Sequence, residues 1–285
     1  MNTVKIGWIG LGKMGIPMSQ QLIKAGYPLS VYNRSKEKEN GFKAQGIGTA
    51  VSPALLLNDA DVVFIMVSDD KAIHDIFNGS EGLLSSKASG KIIINMSTVS
   101  PAISKEMAVA CKARGNSYLD APVSGSVKQA EDAMLVIMVG GEAGAFEQAK
   151  PILEKMGKLV MQVGDTGAGN VAKLAINTFL GIVAQGLAET ITLAQQNGIN
   201  AEALTTLIGN SALGSPFIKI KGDAIVNNNY NAAFALKHIA KDLRLAKNLG
   251  LATPLGVTAY QTYQDAEAAF GEEDIIAVIK QVRKG

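Results

Sequence analysis

One cysteine, Cys111, stands in 285 residues, so no disulfide can form within the chain. Histidine is nearly as scarce: only His74 and His238 are present, and no Cys/His cluster has metal-site spacing, so no metal is expected. Surplus charge is missing too, since 27 basic and 25 acidic side chains leave a formal net charge of +2. That balance gives no electrostatic reason for nucleic acid or an anionic membrane as a partner. Residues 1–9 lack the basic start, apolar core and small-residue cleavage site of a signal peptide. The longest apolar region, residues 171–194, is broken by Lys173, Asn177, Gln185 and Glu189, more polar groups than a transmembrane span tolerates. The expectation is a cytoplasmic protein.

Hydrophobic residues make up 47% and charged residues 18%, ordinary values for a globular chain of two modest domains. Residues 4–9, 29–33, 62–67 and 91–96 are β-branched or apolar runs, with amphipathic segments at 17–25, 53–57 and 102–114 between them. Residues 117–120, 135–140 and 159–163 extend the strand pattern. Strands alternating with helices predict right-handed crossovers and a mostly parallel, twisted sheet, an α/β fold. From Gly169 onward helical spacing takes over, through 171–197, 201–208, 235–249 and 253–269, with Gly198 and Gly250 at expected helix ends. The reading is a dinucleotide-binding Rossmann domain over 1–166 and an all-α domain over 167–285, joined by a long helix over about 169–197.

The segment Gly10-Leu11-Gly12-Lys13-Met14-Gly15 is a G-x-G-x-x-G that follows a strand and opens a helix. In that setting Gly10 makes the tight turn, Gly12 lets backbone approach a pyrophosphate, and Gly15 permits close helix–strand packing. The loop's N–H groups and the helix dipole favour phosphate charge. NAD-preferring sites place an acid after the second strand, about 20 residues on. This chain has Tyr32-Asn33-Arg34-Ser35-Lys36 there, with no carboxylate. Arg34, with Ser35 and Lys36, is read as a seat for a 2′-phosphate, because the planar fork of arginine makes paired charge-assisted bonds, and Asn33 beside it as a further cofactor contact. NADP(H) is therefore expected over NAD(H); the plainer alternative is a solvated basic turn.

Four stretches, residues 7–26, 120–141, 167–177 and 241–250, resemble the β-hydroxyacid dehydrogenases. The specific part is Asp120-Ala121-Pro122-Val123-Ser124-Gly125 followed by Gly167, Gly169, Lys173 and Asn177 in the pattern G-x-G-x-x-x-K-x-x-x-N. The resemblance implies a Rossmann-type doubly wound sheet followed by an all-α C-terminal domain, with the active site in the cleft between them. It also implies a small carboxylate-bearing substrate and a homodimer or homotetramer built through the helical domains. Within that family an arginine after the second strand resembles the NADPH-using reductases of glyoxylate, succinic semialdehyde or tartronate semialdehyde. An oxidative dehydrogenase of 3-hydroxyisobutyrate type is the alternative, and a non-catalytic NADP-binding sensor or scaffold is the rival from another class.

Lys173 and Asn177 share a helix face by their spacing of four. A snorkelling lysine and a local amide bond would be the plain explanation. The motif instead makes them the catalytic pair, with Lys173 giving a proton to the substrate oxygen and Asn177 orienting it. Lysine ordinarily titrates at about 10.4, so it serves as an acid without any shift. By resemblance the substrate contacts are Ser124, Gly125, Ser126, Thr98, Phe234 and Asp242. Further cofactor contacts are Met66, Val67, Ser68, Thr98 and Lys241. Ser126 and Ala133 stand where the family commonly has glycine, and Ser68 where many relatives have proline. His74 and His238 have no identifiable partner in the sequence, and His238, on the helix of Lys241, is read as structural or as supporting the site from behind.

Overall fold

Val62-Val63-Phe64-Ile65 is apolar at every position, as a strand covered on both faces requires. In the computed structural model, which describes residues 3–284, Val62 and Phe64 pack into one buried cluster and Val63 and Ile65 into another. The same division holds for Ile92 and Ile94 against Ile93. Each such fully buried side chain contributes about 1.5–3 kcal/mol by leaving water.

Nine strands form one sheet: β1 (Ile6–Ile9), β2 (Leu29–Tyr32), β3 (Gly48–Thr49), β4 (Val62–Ile65), β5 (Ile92–Asn95), β6 (Ser117–Asp120), β7 (Val123–Ser124), β8 (Leu135–Gly141) and β9 (Gly157–Gly164). Their order is β3-β2-β1-β4-β5-β6-β8-β7, with β9 on β8. The six strands from β3 to β6 are parallel, β8 is antiparallel to β6 and β7, and β9 is parallel to β8. This is the mostly parallel, doubly wound arrangement, and the strand order reverses at β1, where such sheets bind ligands beyond their carboxyl ends. The first helices are α1 (Gly15–Lys24), α2 (Asn40–Lys43), α3 (Pro53–Asp59), α4 (Asp70–Asn78), α5 (Pro101–Lys112), α6 (Val127–Glu131) and α7 (Ala143–Leu153).

Contacts divide the chain into one unit up to Lys173 and another from Leu174. The second is all-helical: most of α8 (Ala168–Gln196), then α9 (Ala201–Gly209), α10 (Pro216–Val226), α11 (Leu236–Asn248), α12 (Pro254–Phe270) and α13 (Val278–Val282). Ala184, Leu187, Ala188 and Ile191 of α8 meet Ile239 and Leu243 of α11 and Tyr263 of α12 in its core. By length and hydropathy α8 could cross a bilayer, but these residues place its inner face in a protein core.

The expected strands are present with ends shifted by at most two residues. The strand expected over residues 4–9 starts at Ile6, and Met1, Asn2 and Gly285 lie outside the described residues. α10, which has no counterpart in the sequence reading, opens at Pro216 and Phe217, with the Ser215 hydroxyl accepting from Ile218 N at 3.2 Å. α4 and α7 have no counterpart in the sequence reading, nor do the short strands β3 and β7.

Candidate functional site

The glycine loop has a distinct reason for each glycine. Gly10 has φ +101°, and a Cβ there would sit 2.1 Å from the Met66 carbonyl oxygen. A Cβ on Gly15 would lie 2.0 Å from the Gly10 oxygen, an atom that also accepts from Trp8 Nε1 at 3.0 Å. At Gly12 a Cβ would meet nothing within 4 Å, so the backbone is bare on that side. A turn, a close packing and an open cradle are what a pyrophosphate needs beside the start of α1. The residues present therefore fit a dinucleotide.

The turn after β2 corrects part of the 2′-phosphate reading. Asn33 spends its side chain inside the protein: Oδ1 accepts from Leu11 N at 2.9 Å and Nδ2 donates to Ser35 O at 2.8 Å. Asn33 is thus a tether for the glycine loop. Lys36 is drawn to Glu39 Oε1 at 3.0 Å and lies 4.2 Å from the Tyr32 ring centroid. Glu39 is buried, holds Asn33 N at 2.9 Å, and is approached by Lys43 at 3.6 Å. Arg34 and Ser35 are exposed, and neither side chain makes a hydrogen bond or ion pair among the described residues.

Beyond β4 and β5, Val67 N donates to Ser97 Oγ at 2.9 Å, and Ser97 N donates to Asn95 Oδ1 at 3.0 Å. Met66 and Val67 are half-buried at this rim, as is Thr98. The Ser68 hydroxyl donates to Asp69 Oδ2 at 2.7 Å, and Asp69 caps α4 through Ala72 N. Ser124, the last residue of β7, is half-buried, and its hydroxyl has no partner among the described residues. Gly125 follows at φ +147°, where a Cβ would meet Leu135 Cδ2 at 2.7 Å. Ser126 is not a bare extra donor: its N–H gives to Gln129 Oε1 at 2.7 Å and its hydroxyl to the same oxygen. Gln21 of α1 donates to the carbonyls of Ala130 and Glu131, tying the glycine-loop helix to α6. Ala133 adopts φ +55°, a left-handed conformation that explains why glycine suits this position.

Sequence reasoning missed the role of Asp120. Its buried carboxylate accepts from Gly167 N at 2.7 Å and Asn170 N at 2.8 Å, at the start of the helix that carries Lys173. Burial pushes this carboxyl up from its ordinary value, and the two N–H groups oppose that rise. The motif spelled the residue out, but its partners lie 47 and 50 positions away.

In the helical unit, Asn177 and Asp242 are both buried, and Asn177 Nδ2 donates to Asp242 Oδ2 at 2.5 Å. The other Asp242 oxygen lies 3.1 Å from Lys241 Nζ. Phe234 stacks on His238 with ring centroids 6.0 Å apart. The loop bearing Phe234 is fixed by Asp274, which accepts from Ala233 N and Phe234 N and is held by buried Lys221 at 2.7 and 2.9 Å. The Lys221–Asp274 pair carried no signal in the local sequence pattern. No group of His, Cys, Asp and Glu able to hold a metal occurs among the described residues.

A doubly wound sheet with this loop and cradle defines a dinucleotide-dependent oxidoreductase class. Two family descriptions cover the chain: the NAD binding domain of 6-phosphogluconate dehydrogenase over residues 5–164, and the NAD-binding domain of NADP-dependent 3-hydroxyisobutyrate dehydrogenase over 167–282. The chain is 36% identical over 290 residues to glyoxylate/succinic semialdehyde reductase 2, chloroplastic, of Arabidopsis thaliana, covering 99% of this chain and 80% of that protein. It is 34% identical to the NAD-dependent L-serine dehydrogenase of Pseudomonas aeruginosa, covering 97% of each. The structure of Mycobacterium tuberculosis 3-hydroxyisobutyrate dehydrogenase with L-serine superposes with a TM-score of 0.90 at 29% identity, covering 99% of this chain and 100% of that one. The chain belongs to the 3-hydroxyisobutyrate dehydrogenase family of NAD(P)-dependent hydroxyacid dehydrogenases.

Proposed function

We propose that this chain is an NADP(H)-dependent reductase of short aldehyde or keto acids, of the glyoxylate or succinic semialdehyde kind. The observation that carries the reading is the turn after β2. The residues directly after β2, Asn33 to Lys36, include no carboxylate, and Glu39 is buried against Asn33 N and Lys36, while the exposed Arg34 guanidinium has no partner among the described residues. The likeness to a plant reductase of that name supports the substrate class.

The nicotinamide, when bound, supplies the hydride. Gly10 to Gly15 would hold its pyrophosphate, Met66, Val67 and Thr98 would line its approach, and Ser124 with Gly125 would receive the substrate carboxylate. Lys173 hydrogen-bonds the carbonyl oxygen of the substrate, draws charge toward it and delivers the proton from Nζ. Asn177 is kept in place by Asp242, and Phe234 supplies an apolar wall. A homo-oligomer belongs to the same reading, since Phe179 and Leu213 of the helical unit are 68% and 75% exposed.

Absorbance at 340 nm with NADPH, then NADH, against a panel of short aldehyde acids tests the proposal. Rapid NADPH oxidation that disappears in Lys173→Ala supports it. A second reading, oxidation of a 3-hydroxy acid with NAD, is favoured by the likeness to an L-serine dehydrogenase; turnover of L-serine with NAD exceeding any reductive rate would replace the first. Dinucleotide binding without turnover in either direction would leave a non-catalytic module.

A further inference from the structure

We propose that Asp120 is a positioning residue for Lys173, acting through the first turn of α8. The inference rests on the reading of Lys173 as the proton carrier. An α-helix begins with N–H groups that no carbonyl within the helix can satisfy, and they carry the positive end of its dipole. In α8 the N–H groups of Gly167 and Asn170 are met by a carboxylate from a distant strand, one oxygen to each, at 2.7 and 2.8 Å. A local serine or threonine cap would fix the helix only to its own approach loop. Asp120 fixes it to β6, in the body of the sheet, and Lys173 follows Asn170 by three residues on the same helix.

The fit around the carboxylate is too close for any other arrangement. A Cβ on Gly140 would stand 2.5 Å from Asp120 Oδ1, and one on Gly169 would stand 2.7 Å from the Asp120 carbonyl oxygen and 3.0 Å from Oδ2. Glycine at both positions is what admits the helix end to the strand. The second glycine of G-x-G-x-x-x-K is thereby explained by close packing on β8 and β6, where a Cβ would stand 2.5 Å from the Met138 carbonyl oxygen as well as against Asp120.

The anchor does not end at Asp120. Asn170 Oδ1 accepts from Val99 N at 3.0 Å, and its Nδ2 donates to Ser104 Oγ at 3.3 Å. In the same buried polar region the Tyr118 hydroxyl accepts from Asn95 Nδ2 at 3.0 Å. Asn95 Oδ1 takes Ser97 N, and Ser97 Oγ takes Val67 N. Asp120, Asn170, Ser104, Asn95 and Ser97 are each fully buried. Two buried hydrogen-bonded runs result, one from Asn170 to Ser104 and Val99 N, the other from Tyr118 through Asn95 and Ser97 to the backbone N–H of Val67 at the proposed cofactor rim. Buried networks of this kind hold one geometry because every member loses a partner if any member moves. The structure thus assigns a second task to Ser104 and Asn170: keeping the proton donor in register with the rim.

The experiment compares wild type, Lys173→Ala, Asp120→Asn and Ser104→Ala in the full chain. Asp120→Asn turns an NH2 toward one of the two N–H groups. It should lower kcat about a hundredfold, the cost of displacing a reacting group by roughly an ångström, with little change in the affinity for NADPH. That affinity is read from quenching of Trp8, the only tryptophan. Ser104→Ala removes one neutral link and should lower kcat about threefold to tenfold with the same split. Titration of the lysines by NMR after 13C-methylation, with Lys173 assigned from its loss in Lys173→Ala, gives a readout independent of turnover. Displacement of that one titration in Asp120→Asn and, by less, in Ser104→Ala is the expected result. An unmoved Lys173 titration, or a kcat loss matched by an equal loss of NADPH-binding protein, overturns the inference. Wild-type kcat in Lys173→Ala would instead overturn the reading on which it rests.

Discussion

In the sheet-bearing unit, the residues proposed to meet cofactor are placed by backbone: three glycines shape the loop, and buried neutral groups tie the strand ends together. In the helical unit the corresponding work falls to charged side chains, with Lys221 and Asp274 fixing the Phe234 loop and Asp242 holding Asn177 and Lys241. The difference follows from the elements. A parallel sheet delivers strand ends to one rim, so small adjustments of main chain suffice. Helices present side chains around a cylinder, and a loop between them has to be pinned by something strong.

If that contrast is right, the two units should fail differently. The largest effect is expected for Gly15→Ala, because its methyl would stand 2.0 Å from a backbone oxygen that has nowhere to go. Overpacking there should cost about 3 kcal/mol or more and abolish NADPH binding together with it. Nearly as large, Lys221→Met strips a buried carboxylate of its cation, at about 3–5 kcal/mol. The thermal midpoint should fall by roughly ten degrees. Lys221→Met with Asp274→Asn should recover part of it, since an amide oxygen still accepts the N–H groups of the Phe234 loop without a buried charge. No recovery would mean that packing of the lysine stem, and not its charge, secures that loop.

Arg34→Ala sharpens the comparison from the other side, because this exposed guanidinium has no partner to lose among the described residues. The expected outcome is a rise of about tenfold to a hundredfold in KM for NADPH, with KM for NADH and the thermal midpoint nearly unmoved. Lys36→Met should do the reverse, lowering stability slightly while sparing the NADPH preference, as its ammonium is engaged with Glu39. A smaller effect is expected at Ala133, whose φ of +55° costs about 1–2 kcal/mol in an L-residue. Ala133→Gly relieves it, less the greater chain entropy of glycine, for a gain of about 0.5–1 kcal/mol by denaturant titration.

The same contrast governs what is legible in the sequence. The glycine loop can be read there because each glycine answers a local backbone demand. The buried strands can be read because a strand covered on both faces must be apolar throughout. Lys173 and Asn177 stand out as polar residues on an apolar helix. The Lys221–Asp274 pair and the Asp120 anchor leave no local periodicity, since their partners lie dozens of residues away. Asn33 and Lys36 mislead for a related reason: a polar residue after a strand reads as available until a buried acid such as Glu39 is seen to claim it. α10 escapes notice although Ser215-Pro216 is a helix-start signature, because the preceding small residues outweigh it.

The smallest expected effect separates the units by pH. His238 lies in the helical unit, stacked on Phe234, and titrates below its ordinary value because the ring is partly buried and the Lys241 ammonium repels its charge. Lys237 adds to that repulsion, and Asp242 and Glu272 oppose it. Above the unfolded value of about 6.5 both states are neutral and the group contributes nothing. As pH falls through 6.5 the unfolded chain takes the proton first, so stability declines until the folded ring is protonated as well. Solvent reaches the ring and screens the repulsion, which limits the decline to about half a kcal/mol. The measurement is the difference in thermal midpoint between wild type and His238→Gln at pH 7.5 and 5.5. His238→Gln should lose less on acidification than wild type; an equal loss in both would show that neither burial nor the charge of Lys241 opposes protonation of the stacked ring.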